Sequence, residues 1–209
     1  EIMSVLVYVG ANQGNSLWEI FDKYDQVYAF EPDPEMFEKL NRRFKQFEWV
    51  TLINAACSFE DGETSLYVTP NRVSTSLADV TEYEKQNGCP NYLKKVTVKT
   101  VNLKKFLEEN KVDYIDYYLS DTQGSDLNIL KTVKEFVDEK KIGELFIETH
   151  GNDWILYEGL DNKFDGFKEV LSKNYNFVHA SLGRLSGKIV TEEEIPKDER
   201  EWDSYWKVK

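Results

Sequence analysis

Residues 4–16 read SVLVYVGANQGNS, an unbroken apolar run from Val5 to Val9 that stops abruptly at Gly10-Ala11-Asn12-Gln13-Gly14. A short continuous apolar run bounded by turn residues reads as a strand covered on both faces, as in a parallel sheet. The same rhythm repeats outward from it. A helical pattern near Ser16–Tyr24 precedes a strand at Val27–Glu31, and Asp33-Pro34 opens a helix over Pro34–Phe44. Val50–Cys57, Ile115–Asp121 and Leu145–Thr149 supply further continuous strands. Strands alternating with helices predict an α/β fold, a doubly wound and mainly parallel sheet. Thr64–Val68 and Val96–Val101 read as short strands around a polar stretch, so residues 69–95 form an insertion or acceptor lid. After a helix near Phe164–Asn174, the segments Tyr175–Ala180 and Ser204–Val208 are expected to pair as an antiparallel edge. The acidic run between them, residues 191–201, reads as a solvated loop.

A chain of 209 residues suits one domain over 1–209, and no apolar stretch is long enough to span a membrane. A cytoplasmic location is the resulting expectation. The two cysteines, Cys57 and Cys89, form no CxxC pair and read as reduced structural thiols. A formal net charge of −12 repels phosphate backbones, which argues against a nucleic-acid partner.

In an open parallel sheet, ligands bind outside the carboxyl ends of the strands, where a glycine loop offers unpaired N–H groups. A dinucleotide site wants G-x-G-x-x-G, and here Asn12 stands where the middle glycine must let the pyrophosphate approach. Asn12 instead offers a donor and an acceptor beside Gly14, which suits a ligand with a small carboxylate and an amino group. S-adenosylmethionine is such a ligand. About 20 residues on, the second strand ends in Phe30-Glu31-Pro32, where an acidic side chain accepts hydrogen bonds from ribose hydroxyls.

With these residues in order, V-G-A-N-Q-G-N-S, F-E-P, N-A-A before D-G, and S-D-T-Q-G-S-D-L-N-I-L together resemble the FkbM-type family of class I S-adenosylmethionine-dependent methyltransferases. The resemblance implies a seven-stranded Rossmann-like sheet with one reversed strand near its C-terminal edge. It also implies methyl transfer to oxygen, S-adenosylhomocysteine as product, and acceptors that are often sugars. By position, Gly10, Asn12, Gly14 and Ser16 would surround the methionine end, Glu31 would hold the ribose, and Asn54-Ala55-Ala56 would border the adenine. Two departures stand out. The family's first motif commonly begins with Asp, where this chain has Tyr8-Val9, and its fourth strand usually reads K-I-D-x-E-G, where this chain has Leu119-Ser120-Asp121-Thr122-Gln123-Gly124. Asp121 is kept, and the Lys and Glu are not.

A sugar hydroxyl needs a base to take its proton as the new bond forms. His150, directly after Ile147-Glu148-Thr149, stands at the carboxyl end of the fifth strand and is the expected base; His179 sits in an apolar strand and reads as packing. Asp121 and Glu148 could orient the imidazole, act as bases, or join His150 around a divalent cation. Asp121 could also cap the helix expected over Ser125–Phe136. Arg72, Ser74 and Ser76 of the insertion are candidate acceptor contacts, and Trp154 and Tyr157 could stack on a sugar ring. The abrupt start suggests a domain excised from a longer chain, with a glycosyltransferase as neighbour. The alternatives are a lipid, polyketide or small-metabolite acceptor, or a non-catalytic nucleoside-binding domain.

Overall fold

The computed structural model describes residues 3–72, 74–89, 91–183 and 187–209. Val73 and Pro90, both inside the expected lid, therefore lie outside the described residues. The first strand, β1 (Val5–Val9), is buried along its whole length, as its continuous apolar run requires. It pairs in parallel with β2 (Gln26–Phe30), and β2 pairs in parallel with β3 (Val50–Ile53). On the other side β1 pairs in parallel with β7 (Ile115–Ser120), and β7 with β8 (Ile142–His150). β11 (Glu201–Val208) is antiparallel to both β8 and β9 (Tyr175–Leu182), and β10 (Lys188–Val190) pairs with β9 at the rim. The sheet order is β10-β9-β11-β8-β7-β1-β2-β3.

The doubly wound sheet with an antiparallel edge is thus present. It has eight strands rather than seven, because β9 folds back through the short β10, and the C-terminal strand slots between β8 and β9. The run Val50–Cys57 divides into β3 and β4 (Ala56–Ser58), and β4 joins a separate three-stranded sheet, β4-β6-β5, with β5 (Gly62–Val68) and β6 (Lys94–Asn102). Asn54 makes the break by donating its side-chain amide to the Glu31 carbonyl at 2.7 Å.

Helix α2 (Pro34–Phe44) has Pro34 in its first turn, its Glu35 N–H is capped by the Asp33 carboxylate, and it buries Met36, Leu40 and Phe44 at four-residue spacing. The helix expected near Ser16–Tyr24 is only α1 (Asn15–Trp18) followed by a 3₁₀ turn at Phe21–Lys23, with Phe21 edge-on to Phe44 at 5.2 Å. α3 (Glu82–Gln86) lies in the insertion. α4 (Leu103–Glu109), α5 (Asp126–Thr132), α6 (Lys134–Asp138) and α7 (Phe164–Leu171) follow.

The two faces of the sheet are covered unequally. Leu107, Leu130, Val137 and Phe167 from α4–α7 pack with Val7, Tyr118, Ile147 and Trp206 on one face. On the other face, Leu17, Leu40 and Phe44 from α1 and α2 pack with Leu6, Tyr8 and Ala29 of the first two strands. No described helix is long and apolar enough to cross a membrane.

Candidate active site

The strand order reverses between β2-β1 and β7-β8, and crevices for ligands form at such a switch point. A cavity of about 430 Å³ lies there, against the carboxyl ends of β1, β2 and β7. Gly10, with φ of 80°, closes its floor: a Cβ at this position would stand 2.0 Å from the Asp121 carbonyl oxygen. The Gly10 and Ala11 N–H groups both donate to the Phe30 carbonyl at 2.9 Å, which pins the loop to the second strand. Gly14 lies off the cavity and serves packing, since a Cβ there would meet Leu40 and Phe44 of α2 at 2.7 and 2.5 Å.

Glu31 is 6% exposed and lines the cavity. Its two oxygens accept the backbone N–H groups of Asn12 and Asp33, each at 2.7 Å, so the carboxylate is fixed in orientation. Burial nevertheless pushes its pKa up to about 7, against the pull of those two donors. Asn12 (φ 50°) also donates its side-chain amide to the Arg72 carbonyl at 3.0 Å. Ala55, Ala56, Cys57, Leu66 and Ile129 form an apolar end of the cavity suited to a flat heterocycle. Asn54 does not line it and acts through the turn it holds. Ser16 does line it, beside Asn15.

Residues of the 69–95 stretch also reach the cavity. Arg72 lines it, and its guanidinium donates to both Asp33 oxygens at 2.9 and 2.7 Å and to Glu35 at 2.5 Å. Ser76 lines it too and donates to the Gln123 carbonyl at 2.6 Å. Ser74 does not line it.

At the end of β7, Asp121 lines the cavity and receives the Gln123 side-chain amide at 2.6 Å. The same amide nitrogen donates to Glu148 at 2.9 Å, and the Gln123 amide oxygen accepts the Tyr157 hydroxyl at 2.7 Å. Gln123, with φ of 57°, is therefore the link between the cavity wall and the groups behind it. Sequence reasoning passed over it because nothing in its local pattern marks those partners. Glu148, Tyr157 and His150 lie in that second layer, outside the cavity. Glu148 is 2% exposed, and burial with the nearby Asp121 charge raises its pKa well above the usual carboxylate range. His150 is 1% exposed, and burial holds its pKa down at about 4. Its ring lies 3.4 Å from a Glu148 oxygen and stacks on Tyr157. Trp154 also lies off the cavity, under the Arg200 guanidinium.

The helix-cap role considered for Asp121 is filled by Asn162, whose side-chain oxygen accepts the Leu127 N–H at 2.9 Å, while Asp126, at the start of α5, accepts the Thr122 N–H at 3.0 Å and the Ser120 hydroxyl at 2.5 Å. Burial raises its pKa to about 6. Among the described residues, the ligand atoms that converge within 4.8 Å and could hold a cation are those of Glu148, His150 and Glu201, without Asp121. Tyr8, Phe146 and Asp203, which the sequence did not single out, line the far side of the cavity. Asp203 arrives there from the C-terminal strand, which no short motif connects to β1.

The fold matches several solved structures. A methyltransferase FkbM from Methylobacillus flagellatus KT superposes with a TM-score of 0.57 at 14% identity, over 97% of this chain and 43% of that protein. The chain therefore spans under half of that relative's length. A Streptococcus mutans methyltransferase in complex with S-adenosylhomocysteine gives a TM-score of 0.50 at 13% identity, over 99% of this chain and 89% of the other. An rRNA methylase from Streptococcus thermophilus gives 0.50 at 11% identity, over 98% and 86%. At these identities the likeness is one of fold. No curated protein sequence matches the chain. The cavity fits S-adenosylmethionine in its donor set, with a fixed acid for the ribose, an apolar end for the adenine and a glycine floor for the methionine. The family model for the FkbM methyltransferase domain matches residues 9–178, and the chain belongs to that family of S-adenosylmethionine-dependent methyltransferases.

Proposed function

We propose that this domain moves a methyl group from S-adenosylmethionine to a sugar hydroxyl, with Asp121 as the base. The observation that carries this reading is the position of Asp121. Of the three acid–base groups named from the sequence, it alone lines the cavity, and Gln123 holds one of its oxygens in place.

Bound S-adenosylmethionine supplies an electrophilic methyl on a sulfonium. Attack by the acceptor oxygen forms the O–C bond, the C–S electron pair stays on sulfur, and the hydroxyl proton passes to Asp121. Holding the two reactants in line is worth up to ~7–11 kcal/mol, and a positioned base adds ~100- to 10,000-fold. Glu31 and the Gly10 floor do the holding at the cofactor end. Glu148 and His150, sealed behind Gln123, support Asp121 rather than touch the acceptor. Asn15 and Asp203 give the acceptor side amide and carboxylate groups, which suit a polyhydroxy ligand better than a lipid chain. A glycosyl-transfer reaction would supply such an acceptor.

Mass spectrometry of sugars, lipids and phenols incubated with the protein and S-adenosylmethionine tests the reading. One methyl gained on a sugar is expected. Asp121→Asn should lower kcat ~100-fold or more while S-adenosylhomocysteine still binds. Methylation of a phenol or lipid but no sugar would overturn the acceptor class, and full turnover by Asp121→Asn would overturn the base.

A further inference from the structure

The face of the sheet that α1 and α2 cover over β1 and β2 is left without a helix over β8, β11 and β9 among the described residues. Its residues follow from the strand register. Tyr8 pairs with Leu119, Leu119 with Phe146, Phe146 with Tyr205 and Tyr205 with His179. Directly paired residues point to the same face, so these side chains form one row across β1, β7, β8, β11 and β9. Tyr8, Leu119 and Phe146 line the cofactor cavity, and Phe146, Tyr205 and His179 are half-buried. The His179 and Tyr205 rings are 4.9 Å apart. At about 4.8 Å per strand, the row is roughly 19 Å long, of which about 10 Å lies beyond Phe146 at the cavity wall.

A second row lies two residues along, about 7 Å away. In it Glu148 pairs with Asp203 and Asp203 with Ser181, and Asp121 ends β7 beside them. Asp203 and Ser181 are half-buried, and Asp203 lines the cavity. On the other side of the ring row the Lys207–Glu144 ion pair, at 3.0 Å, bounds the surface. Both rows begin at the cavity wall and leave it in the same direction.

We infer that this face is an acceptor track for an oligosaccharide, with the ring row under the sugars and Asp203 and Ser181 of the polar row along their hydroxyls, Glu148 being sealed behind Gln123. It rests on the sugar-directed reading above and adds that the acceptor is an extended chain, of which one end enters the cavity. A pyranose offers an apolar C–H face and a rim of hydroxyls, and alternate rows of flat rings and oxygen acceptors match both. A docked helix would meet few of the aliphatic side chains that ridges-into-grooves packing uses. Phosphate-bearing chains are excluded by the acidic row and the net charge of −12.

A glycan microarray probed with the S-adenosylhomocysteine-loaded protein tests this, using wild type, Tyr205→Ala, His179→Ala and Tyr205→Phe. Binding of a set of oligosaccharides is expected, weakened roughly 3- to 10-fold by each alanine and kept by Tyr205→Phe. S-adenosylhomocysteine affinity and melting temperature should stay unchanged in all three, which separates lost stacking from lost folding. Three results would overturn the track: no glycan bound, glycans bound equally by the alanine variants, or a wild-type dimer in sedimentation that Tyr205→Ala dissolves. Methylation of the best-bound glycan separates the two readings. Binding without methyl gain removes sugar-directed transfer, whereas methyl gain on sugars that is indifferent to Tyr205 and His179 removes the track alone.

Discussion

Arg72 reaches from the insertion to Asp33 and holds both of its carboxylate oxygens, at 2.9 and 2.7 Å, across the ribose end of the cavity. Asp33 is 2% exposed and caps α2, so one side chain ties together the lid, the helix and the strand that carries Glu31. Arg72 thereby latches the insertion to the end of β2 and the start of α2, beside the cavity it lines.

Breaking this latch should speed cofactor release. Arg72→Ala is expected to weaken S-adenosylhomocysteine binding ~10-fold, about 1.4 kcal/mol, mainly through a faster off-rate. Arg72→Lys should recover only part of this, because a single ammonium nitrogen replaces the two guanidinium nitrogens that reach Asp33 and Glu35 separately. Stopped-flow release and calorimetry check it; unchanged off-rates in both variants would leave Arg72 no part in retention.

Cofactor affinity should depend on pH through Glu31. Only the carboxylate can accept from both ribose hydroxyls, and with its pKa near 7 the free protein carries much of it protonated below neutrality. Affinity is expected to rise with pH up to about 7 and then level off. In the cofactor-free protein the sign is opposite. The folded pKa lies above the ordinary 4.5, so the stability that protonated Glu31 contributes is complete below that value and is lost as pH rises through about 7. Glu31→Gln should flatten both profiles. A wild-type affinity that is level across this range would sink the assignment.

His150 sets an opposing trend at acid pH. Its folded pKa of about 4 lies below the ordinary 6.5, so its contribution is complete above 6.5 and is lost as pH falls through about 4. His150→Asn, which leaves no group titrating there, should shrink the fall in melting temperature across that window. Loss of turnover with an unchanged acid limb would instead favour direct chemistry by the imidazole.

Two glycines separate crowding from backbone strain. Gly10 and Gly159 have φ of 80° and 72°, but a Cβ on Gly159 would meet nothing within 4 Å. Gly159→Ala should cost only the left-handed backbone penalty, about 1–2 kcal/mol. Gly10→Ala adds a 2.0 Å clash with the Asp121 carbonyl and should destabilise more and abolish S-adenosylhomocysteine binding. Equal melting temperatures for the two variants would count against the close approach of β1 and β7.

The rhythm of the fold was legible because Val5–Val9 and Val27–Glu31 are continuous apolar runs, which only doubly covered strands need. Gly10, Asn12 and Glu31 could be found by their spacing, since a strand-loop-helix-strand unit fixes that distance along the chain. The division of Val50–Cys57 was hidden, because apolar residues stand on both sides of Asn54 and only a hydrogen bond to Glu31 bends the chain. The acceptor side was hidden for a different reason. Asp121 and Gln123 follow β7, Phe146 lies on β8 and Asp203 on β11, and their meeting depends on how β11 enters the sheet. His150 was legible as the end of a strand, but its burial behind Gln123 was not, because Tyr157 closes over it from the following loop.

That entry of β11 between β8 and β9 also fixes an order of assembly. β9 meets the rest of the sheet only through β11, which leaves the ribosome after it. During synthesis β8 therefore waits as an open parallel edge, and β9 with β10 waits as a lone hairpin, until the last strand emerges and joins both at once. The wall that Asp203 contributes to the cavity forms in that closing step, so the nascent chain completes its glycine loop before the cavity is walled in.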